Sequence, residues 1–227
     1  DQGSYWDAFI YGKAGINYLE EALAEVSTVF DAYVGLGLFE YFVDRYSGLT
    51  QFILNILGFE GNRERGLKYI QIAIERGKYA VDAAKLAIIS LYLGYEDNEE
   101  LAIPHFKDFI KKYPKKRAII NWYCKTLLEK EDYKQFFNIN EQDTLDLIDP
   151  YFKALAYHSI GNYVQSNKYL NNVNNRKEHY QLENLEHIEY IYILNQFFID
   201  NRVVDFNVSM LSSEKYKKQA HEIIKFN

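Results

Sequence analysis

The sequence is poor in the features that cross-link a chain or carry it through a membrane. Cys124 is the single cysteine among 227 residues, so no disulfide can form within the chain. The nearest approach to a long apolar run, LTQFILNIL at residues 49–57, falls far short of the ~20 residues that span a bilayer. We therefore expect no stable membrane insertion. A lone cysteine fits the cytoplasm and does not exclude the periplasm.

An excess of basic residues is also missing. The formal net charge is -6 at pH 7, whereas a nucleic-acid-binding surface needs clustered lysine and arginine. The one basic cluster, KKYPKKR at residues 111–117, is typical of a helix C-terminus that runs into a turn, because cations complement the helix dipole there. A patch for phosphate or an acidic partner is the alternative interpretation. We expect no nucleic-acid partner.

Strand signals are nearly absent, and the chain has only three prolines. No stretch alternates apolar and polar residues between hairpin dipeptides. Apolar residues recur instead at helical spacing. The sets that share a face are Leu67, Ile70 and Ile74; Ala84, Ala87, Ile88, Leu91 and Tyr95; Ile120, Tyr123, Cys124 and Leu127; and Leu185, Ile188, Tyr192 and Ile199. This spacing predicts an all-α protein with about ten or eleven helices.

No phosphate-binding loop is present in the glycine-containing stretch GFEGNRERGLKYI, residues 58–70. It matches neither the P-loop pattern nor the dinucleotide pattern between a strand and a helix. Asn62 is a preferred N-cap residue, Glu64 suits the first helical turn, and Gly77 suits the position just past a helix end. The stretch therefore predicts the start of a helix that ends near Gly77.

Two glycines in YVGLGLFEY, Gly35 and Gly37, lack the third glycine of a nucleotide fingerprint and have helical surroundings. Glycine lowers helix stability by ~1 kcal/mol relative to alanine, so it needs a reason to be there. Close packing of this helix against a neighbour is the reason that we predict.

Candidate catalytic and metal-binding residues are few. His179, Glu183 and His187 share one helix face, but the two histidines are separated by ~12 Å along the helix and cannot hold one ion together. We interpret this face as solvated. Cys124 has no histidine nearby in sequence and is expected to be a buried, inert thiol. We expect no catalytic residue, no cofactor and no metal, and hence no enzyme.

Repeated intervals of about 34 residues occur in the middle of the chain. Tyr133 and Tyr163, each in a short turn between helices, lie 30 residues apart, and Pro114 and Pro150 lie 36 apart. These intervals bracket the period of tetratricopeptide repeats, which the sequence resembles here. In that register Ser90, Cys124 and Ala154 fall where the family has a small residue at a close helix crossing, whereas Glu99 and Phe136 depart from the pattern. Pro104 should kink the second helix of the first repeat or delay its start.

A more particular resemblance covers residues 6–137. The segments that carry it are YWDAFIYGKAGINYLEEAL, FDAYVGLGLFEYFVDR, GFEGNRERGLKYIQIAIERGKYA and FIKKYP. They resemble a group of bacterial tetratricopeptide-repeat proteins, with a looser likeness to the eukaryotic tetratricopeptide-repeat 39 and inclusion-body-clearance family. The resemblance implies a helical-repeat fold. The bacterial relatives often carry secretion signals and have no established activity.

The predicted fold is an all-α, right-handed superhelix of helical hairpins, forming one continuous domain over residues 1–227. Its parts are a divergent helical part at 1–77, about three degenerate repeats at 78–175 and capping helices at 176–227. Because the chain begins with Asp1, we expect a processed form whose signal peptide has been removed and a periplasmic or otherwise extracytoplasmic location. The cytoplasm is the alternative.

Stacked repeats form a concave groove lined by their first helices, and such grooves bind partners. The groove residues in this register are Asn121, Lys125, Tyr151, Leu155 and His158. Their amide, ammonium, phenol and imidazole groups suit an extended peptide. The alternative is that the apolar helix at residues 185–199 and the amphipathic helix at 214–226 fill the groove.

The sequence therefore predicts a non-catalytic scaffold that binds a protein or peptide through this groove. A different class of function is the alternative: an extracytoplasmic helical-repeat accessory protein of a solute uptake system, which would bind a sugar or an organic acid in an aromatic cavity. A closed aromatic cavity would favour the second interpretation and an open polar groove the first. The oligomeric state is left open.

Overall fold

The protein is all-α in the part of the chain that the structure describes. The structure is a computed structural model that describes residues 2–48, 60–174, 180–200 and 211–225, together with residues 52, 54, 58 and 178. None of these residues lies in a strand. The described helices are Gln2–Glu25 (α1), Ala32–Asp44 (α2), Arg63–Arg76 (α3), Val81–Gly94 (α4), Glu99–Lys112 (α5), Arg117–Glu129 (α6), Tyr133–Gln142 (α7), Pro150–Ser159 (α8), Tyr163–Asn174 (α9), Leu182–Asp200 (α10) and Glu214–Lys225 (α11).

The chain forms two compact units, Asp1–Phe109 and Ile110–Asn227, called here the N-terminal and the C-terminal unit. The predicted boundary at residue 77 lies inside the N-terminal unit, in the turn between α3 and α4, which pack against each other. The predicted boundary at residue 175 lies inside the C-terminal unit, after α9, which packs against α10.

In the N-terminal unit, α2 and α3 pack more extensively than any other described pair of helices. A Cβ atom at Gly37 would lie 2.7 Å from the backbone oxygen of Gly66, and one at Gly66 would lie 2.6 Å from the backbone oxygen of Gly37. Any side chain at either position would therefore push the two backbones apart. The predicted close packing is confirmed at Gly37. At Gly35 the neighbour is the side chain of Leu19 in α1.

Helix α3 begins and ends as its capping residues predict. Asn62 has extended backbone angles, and its side-chain oxygen accepts a hydrogen bond from the Arg65 N–H at 2.8 Å. Gly77 follows the last helical residue. The charged side chains at the start of α3 bind acidic residues of the same unit: Arg63 pairs with Glu96, and Arg65 with Glu40 at 2.6 Å. The stretch is a helix start, as predicted.

The start of α4 is held by a residue that lies far away in sequence. The Asp31 carboxylate accepts hydrogen bonds from the N–H groups of Lys78, Tyr79 and Ala80 at 2.5–3.0 Å. These bonds, led by that from Ala80, keep the pKa of Asp31 below its usual value. Asp31 directly precedes α2, so this carboxylate links the starts of two helices that are close in space and distant in sequence.

A second feature of the N-terminal core is a buried phenol. The Tyr41 ring is fully buried with Ile70, Ala84, Ile88 and Leu91. Its hydroxyl donates a hydrogen bond to the Glu96 carboxylate, whose side chain is itself only 7% exposed. Burial and then this carboxylate raise the pKa of Tyr41 to about 12.

The three positions predicted to hold a small residue at a close helix crossing have different outcomes. Cys124 and Ala154 are fully buried, in α6 and α8, as expected. The prediction for Ser90 is wrong: Ser90 is exposed and its hydroxyl donates to the Leu86 carbonyl oxygen at 2.9 Å. The buried stripe of α4 runs through residues 84, 88 and 91, and Ser90 lies off that stripe.

Pro104 does not delay the start of its helix, because α5 begins at Glu99 and contains Pro104 in its interior. The late start that we considered is therefore wrong. Phe106, two residues later on α5, is fully buried.

The C-terminal unit is built from helices joined by short turns. Helices α8 and α9 pack against each other: the Ser166 hydroxyl donates to the Ala154 carbonyl oxygen, and Tyr169 stacks on Tyr157 at 5.6 Å between ring centroids. Gly161, in the turn between them, has a φ of 77°, which glycine adopts without strain. Helices α6 and α8 contact each other, as do α8 and α10. The core joins α8, α9, α10 and α11 through Ala154, Leu170, Val173, Ile188, Ile191, Leu194, Leu211, Tyr216 and Ala220.

Candidate functional site

A cleft of about 640 Å³ lies in the C-terminal unit between α6, α8 and α10. Its walls mix aromatic rings with charged and hydrogen-bonding groups. The lining residues are Lys125, Leu128 and Glu129 of α6; Asp149, Tyr151, Phe152, Leu155, His158 and Ser159 in and next to α8; and Tyr180, Asn184, His187 and Ile191 in and next to α10. We call this the α6–α8–α10 cleft.

Four of the five predicted groove residues line this cleft: Lys125, Tyr151, Leu155 and His158. Lys125 is exposed at its rim, 3.6 Å from Glu129 on the same helix. Asn121 is not among the lining residues.

The amide of Asn121 is engaged inside the fold. Its nitrogen donates to the carbonyl oxygens of Arg117 and Leu147, and its oxygen accepts from the Asp149 N–H at 2.6 Å. Asn121 therefore holds the loop that leads into α8, and acts on the cleft by positioning rather than by lining it.

The same loop is held from the other side by a buried ion pair. The Lys153 ammonium lies 3.1 Å from Asp143 and 2.7 Å from Asp146, and the Lys153 and Asp143 side chains are 6% and 4% exposed. Asp143 also accepts hydrogen bonds from the N–H groups of Leu147 and Ile148. Burial by itself would raise the pKa of Asp143, but these bonds and the ammonium outweigh it, and the pKa lies below the usual value.

The N-terminus of α8 forms the base of one wall. Asp149 caps the helix by accepting the Tyr151 N–H at 2.9 Å, and the same carboxylate oxygen accepts the hydroxyl of Tyr180 at 2.6 Å. Because Tyr180 lies two residues before the start of α10, this bond fixes the start of that wall relative to α8.

A second bond joins the two walls further along. The Tyr151 hydroxyl lies 2.7 Å from Nδ1 of His187. The His187 ring stacks on Tyr216 of α11 at 5.4 Å between centroids. Burial, and then the nearby His158 imidazole and Lys215 ammonium, lower the pKa of His187. Burial also raises the pKa of Tyr151 to about 12.

The interpretation of the His179–Glu183–His187 face as solvated is wrong for His187, which is half-buried among aromatic rings. The Tyr216 ring of α11 covers it, and nothing in the local spacing of α10 reveals that cover. His179 lies outside the described residues.

The third link between the walls is a buried polar network. Nδ1 of His158 lies 2.6 Å from Oδ1 of Asn195. Asn195 is fully buried and its amide nitrogen donates to Ser166 Oγ and Asn167 Oδ1, each at 2.8 Å. Ser166 in turn donates to the Ala154 carbonyl oxygen at 2.8 Å. The network fixes the orientation of the His158 ring.

Helix α10 therefore forms one wall of the predicted groove and leaves a cleft beside it. The alternative that the helix at residues 185–199 fills the groove is met only in part, because α10 lies beside α8 as a wall and a cleft remains. The individual α10 residues that line the cleft, Asn184, His187 and Ile191, were not predicted, because the repeat register was not continued beyond residue 175.

We also searched the described part of the chain for a metal site, a reactive thiol and a membrane span. No group of three or more histidine, cysteine or acidic side chains that could hold a metal ion occurs among the described residues. Burial raises the pKa of the Cys124 thiol to about 12, so this thiol is a poor nucleophile. Within the same residues, none of the helices has the length and apolar character needed to span a membrane.

Comparison of the chain with protein-family models, with curated proteins and with solved structures found no match.

Proposed function

We propose that the helical hairpins belong to a right-handed solenoid of degenerate tetratricopeptide repeats. In the C-terminal unit, α6, α8 and α10 begin at Arg117, Pro150 and Leu182, which are 33 and 32 residues apart and close to the 34-residue period of that family. Each of these first helices contacts the next, and α8 also packs on its own partner α9, as stacked hairpins do. An experimental structure in which α6, α8 and α10 are not neighbours would contradict the proposal.

We infer that the α6–α8–α10 cleft binds an extended segment of a partner protein, and that the protein is a non-catalytic scaffold. The observation that carries the inference is that Lys125, Tyr151, Leu155 and His158, from two successive first helices, line one cleft. The cleft offers hydrogen-bonding groups for a peptide backbone, and apolar surface at Leu155 for its side chains.

Selection from a random peptide library displayed on phage tests this function. The bait is the full chain, and selected peptides are measured by calorimetry against Leu155→Ala and Lys125→Ala. We expect Leu155→Ala to weaken binding at least tenfold and Lys125→Ala by a few fold, since a half-buried apolar contact is worth more than an exposed charge.

Matched controls lie on the same unit outside the cleft. Val164→Ala and Lys168→Ala change an exposed aliphatic residue and an exposed lysine of α9. Peptides that lose as much affinity with these variants as with the cleft variants, or a selection that enriches no peptide, would overturn the inference.

A second candidate function is the binding of a small molecule such as a sugar or an organic acid. A volume of about 640 Å³ lies within the ~300–1,000 Å³ of small-ligand pockets, and Tyr151, Phe152 and Tyr180 supply aromatic surface. A thermal-shift screen with sugars and small organic acids distinguishes the two candidates. Stabilisation by one of these compounds that Tyr151→Phe or Leu155→Ala abolishes would favour this candidate over peptide binding.

We propose an extracytoplasmic, for instance periplasmic, location, with the cytoplasm as the alternative. A single buried cysteine places no demand on either redox environment. Fractionation of cells that express the complete gene product, followed by detection in the periplasmic and cytoplasmic fractions, tests the proposal. Recovery in the cytoplasmic fraction alone would contradict it.

A further inference from the structure

In the buried network next to His158, the donor and the acceptor of each hydrogen bond can be assigned. The Ser166 hydroxyl has one proton, which it donates to the Ala154 carbonyl oxygen. Ser166 Oγ must therefore accept its second hydrogen bond, so the Asn195 atom that faces it is the amide nitrogen. Asn195 consequently turns its oxygen to His158, 2.6 Å from Nδ1. An amide oxygen can only accept, so Nδ1 of His158 carries the proton.

This tautomer decides what His158 offers to a ligand. In the neutral ring a proton on Nδ1 leaves Nε2 as a hydrogen-bond acceptor. Nε2 of His158 makes no hydrogen bond with any described residue, and no side-chain nitrogen or oxygen that is buried among them lacks a partner. Nε2 is therefore reached by solvent, on a side chain that lines the cleft.

His187 has the opposite arrangement. Its Nδ1 faces the Tyr151 hydroxyl at 2.7 Å, and that hydroxyl has no other hydrogen-bond partner among the described residues. The phenol is the stronger donor and the imidazole nitrogen the stronger acceptor, so the hydroxyl donates to Nδ1. The ring proton of His187 then lies on Nε2. Nε2 of His187 makes no hydrogen bond with a described residue, so by the same argument it is a donor reached by solvent, on a side chain that lines the opposite wall of the cleft.

We propose that His158 and His187 are specificity-determining residues that present one acceptor and one donor to the ligand of the cleft, and that the ligand group is a neutral amide, as in a peptide backbone. The proposal rests on the proposed function of the cleft as a binding site. A carboxylate offers only acceptors, and would leave the Nε2 lone pair of His158 facing another lone pair. Sites that match donors to acceptors reject ligands that leave one of these groups unpaired.

Nitrogen NMR of the histidine side chains tests the tautomers without any ligand. Long-range proton–nitrogen spectra of the ¹⁵N-labelled full chain at about pH 8.5, well above the ordinary imidazole pKa of about 6.5, distinguish protonated from unprotonated ring nitrogens. His158→Gln and His187→Gln assign the signals. We expect a protonated Nδ1 at His158 and a protonated Nε2 at His187.

A His158 ring protonated on Nε2, or a His187 ring protonated on Nδ1, would overturn the proposal. Tyr151→Phe supplies an internal check, because it removes only the hydroxyl that sets the His187 tautomer. We expect the His187 signals of that variant to move toward a mixture of the two tautomers, while those of His158 stay unchanged.

The ligand class is tested with simple probes in the same spectra. N-methylacetamide, acetate and sulfate are added at equal concentration and ionic strength. We expect the amide to shift the Nε2 signals of both histidines several times more than either anion does. A larger shift with acetate or sulfate, or no shift with the amide, would overturn the ligand class.

The proposed binding function and the inferred tautomers are tested separately. A random-peptide selection that enriches nothing counts against the proposed function and leaves the measured tautomers as they are. Tautomers opposite to those expected count against this inference, even where peptides bind.

Discussion

The two units of the chain bury different kinds of side chain. The polar or charged residues that are buried as whole residues in the described part of the chain all lie in the C-terminal unit: Thr126, Lys153, Ser166, Asn167 and Asn195. The N-terminal interior is mainly apolar, and Gly37 and Gly66 let two of its helices approach closely. Its one carboxylate with a largely buried side chain among the described ion pairs is that of Glu96, which binds the Tyr41 hydroxyl and Arg63.

The difference indicates where binding is to be sought. A buried polar group destabilises a protein unless all its hydrogen bonds are made, so such a network needs a compensating use. In the C-terminal unit the networks hold the loop before α8 and the ring of His158, both of which shape the cleft. In the N-terminal unit, close packing accounts for most of the interior, apart from the bond between Tyr41 and Glu96.

The largest effect that we expect comes from breaking the buried ion pair of the C-terminal unit. Lys153→Met keeps the length of the side chain but leaves the Asp143 carboxylate without its cation, and removing one partner of a buried pair costs about 3–4 kcal/mol. Urea denaturation measures the loss, and hydrogen exchange locates it in residues 110–227.

The control for this change is Lys168→Met, which alters an exposed side chain of α9 and should change stability by no more than ~0.5 kcal/mol. A loss below ~1 kcal/mol for Lys153→Met would show that the pair is dispensable.

The corresponding change in the N-terminal unit acts on packing. Gly66→Val drives a side chain against the Gly37 oxygen and the Tyr41 backbone, and since backbone atoms yield little, we expect a loss of about 3 kcal/mol. Increased hydrogen exchange confined to residues 1–109 would identify the unit affected.

Gly15→Ala on α1 is the matched control, because a Cβ atom there meets nothing within 4 Å. It should stabilise the helix by ~0.5–1 kcal/mol. Equal effects of the two substitutions would contradict the packing argument.

Two hydroxyl deletions compare the units more finely. Ser166→Ala leaves one N–H of Asn195 without its acceptor inside the C-terminal unit and removes a bond to the Ala154 carbonyl, with an expected loss of about 2 kcal/mol. Tyr41→Phe removes a bond to Glu96, which keeps Arg63 as a partner, so about 1 kcal/mol is expected. Denaturation curves rank them, with exposed Tyr11→Phe as a neutral reference. The reverse order would refute the contrast between the units.

The smallest effect that we expect is a dependence of folding stability on pH, and each unit contributes one histidine to it. Burial lowers the pKa of His105 in the N-terminal unit and of His187 in the C-terminal unit. The unfolded chain then binds protons that the folded chain resists, so stability falls as pH falls from about 6.5 through the lowered folded pKa. Denaturation between about pH 7.5 and pH 5.5 measures the slope. His105→Gln and His187→Gln should each reduce the slope of stability against pH. An unchanged slope in both variants would show that these two histidines are not its source.

Features set by neighbouring residues were predictable. Asn62, Glu64 and Gly77 delimit α3 because capping depends on residues within one turn of a helix end. The repeat register brought Lys125, Tyr151, Leu155 and His158 to one cleft because the interval between successive first helices is nearly constant.

Features that need two distant segments were not predictable in the same way. Asp31 caps a helix that starts 50 residues later, and His187 is covered by Tyr216 of another helix. The repeat register placed Ser90 at a close helix crossing, but the buried residues of α4 lie on a face that does not include Ser90.

The sequence by itself determined that the described part of this chain is helical and where α3 begins and ends, because apolar periodicity and caps act over a few residues. Only the tertiary structure decided which polar groups meet: Asn195 with His158, Lys153 with Asp143, and Tyr151 with His187. Those pairings depend on how helices pack, and the direction of a hydrogen bond follows from the complete set of partners rather than from any one residue.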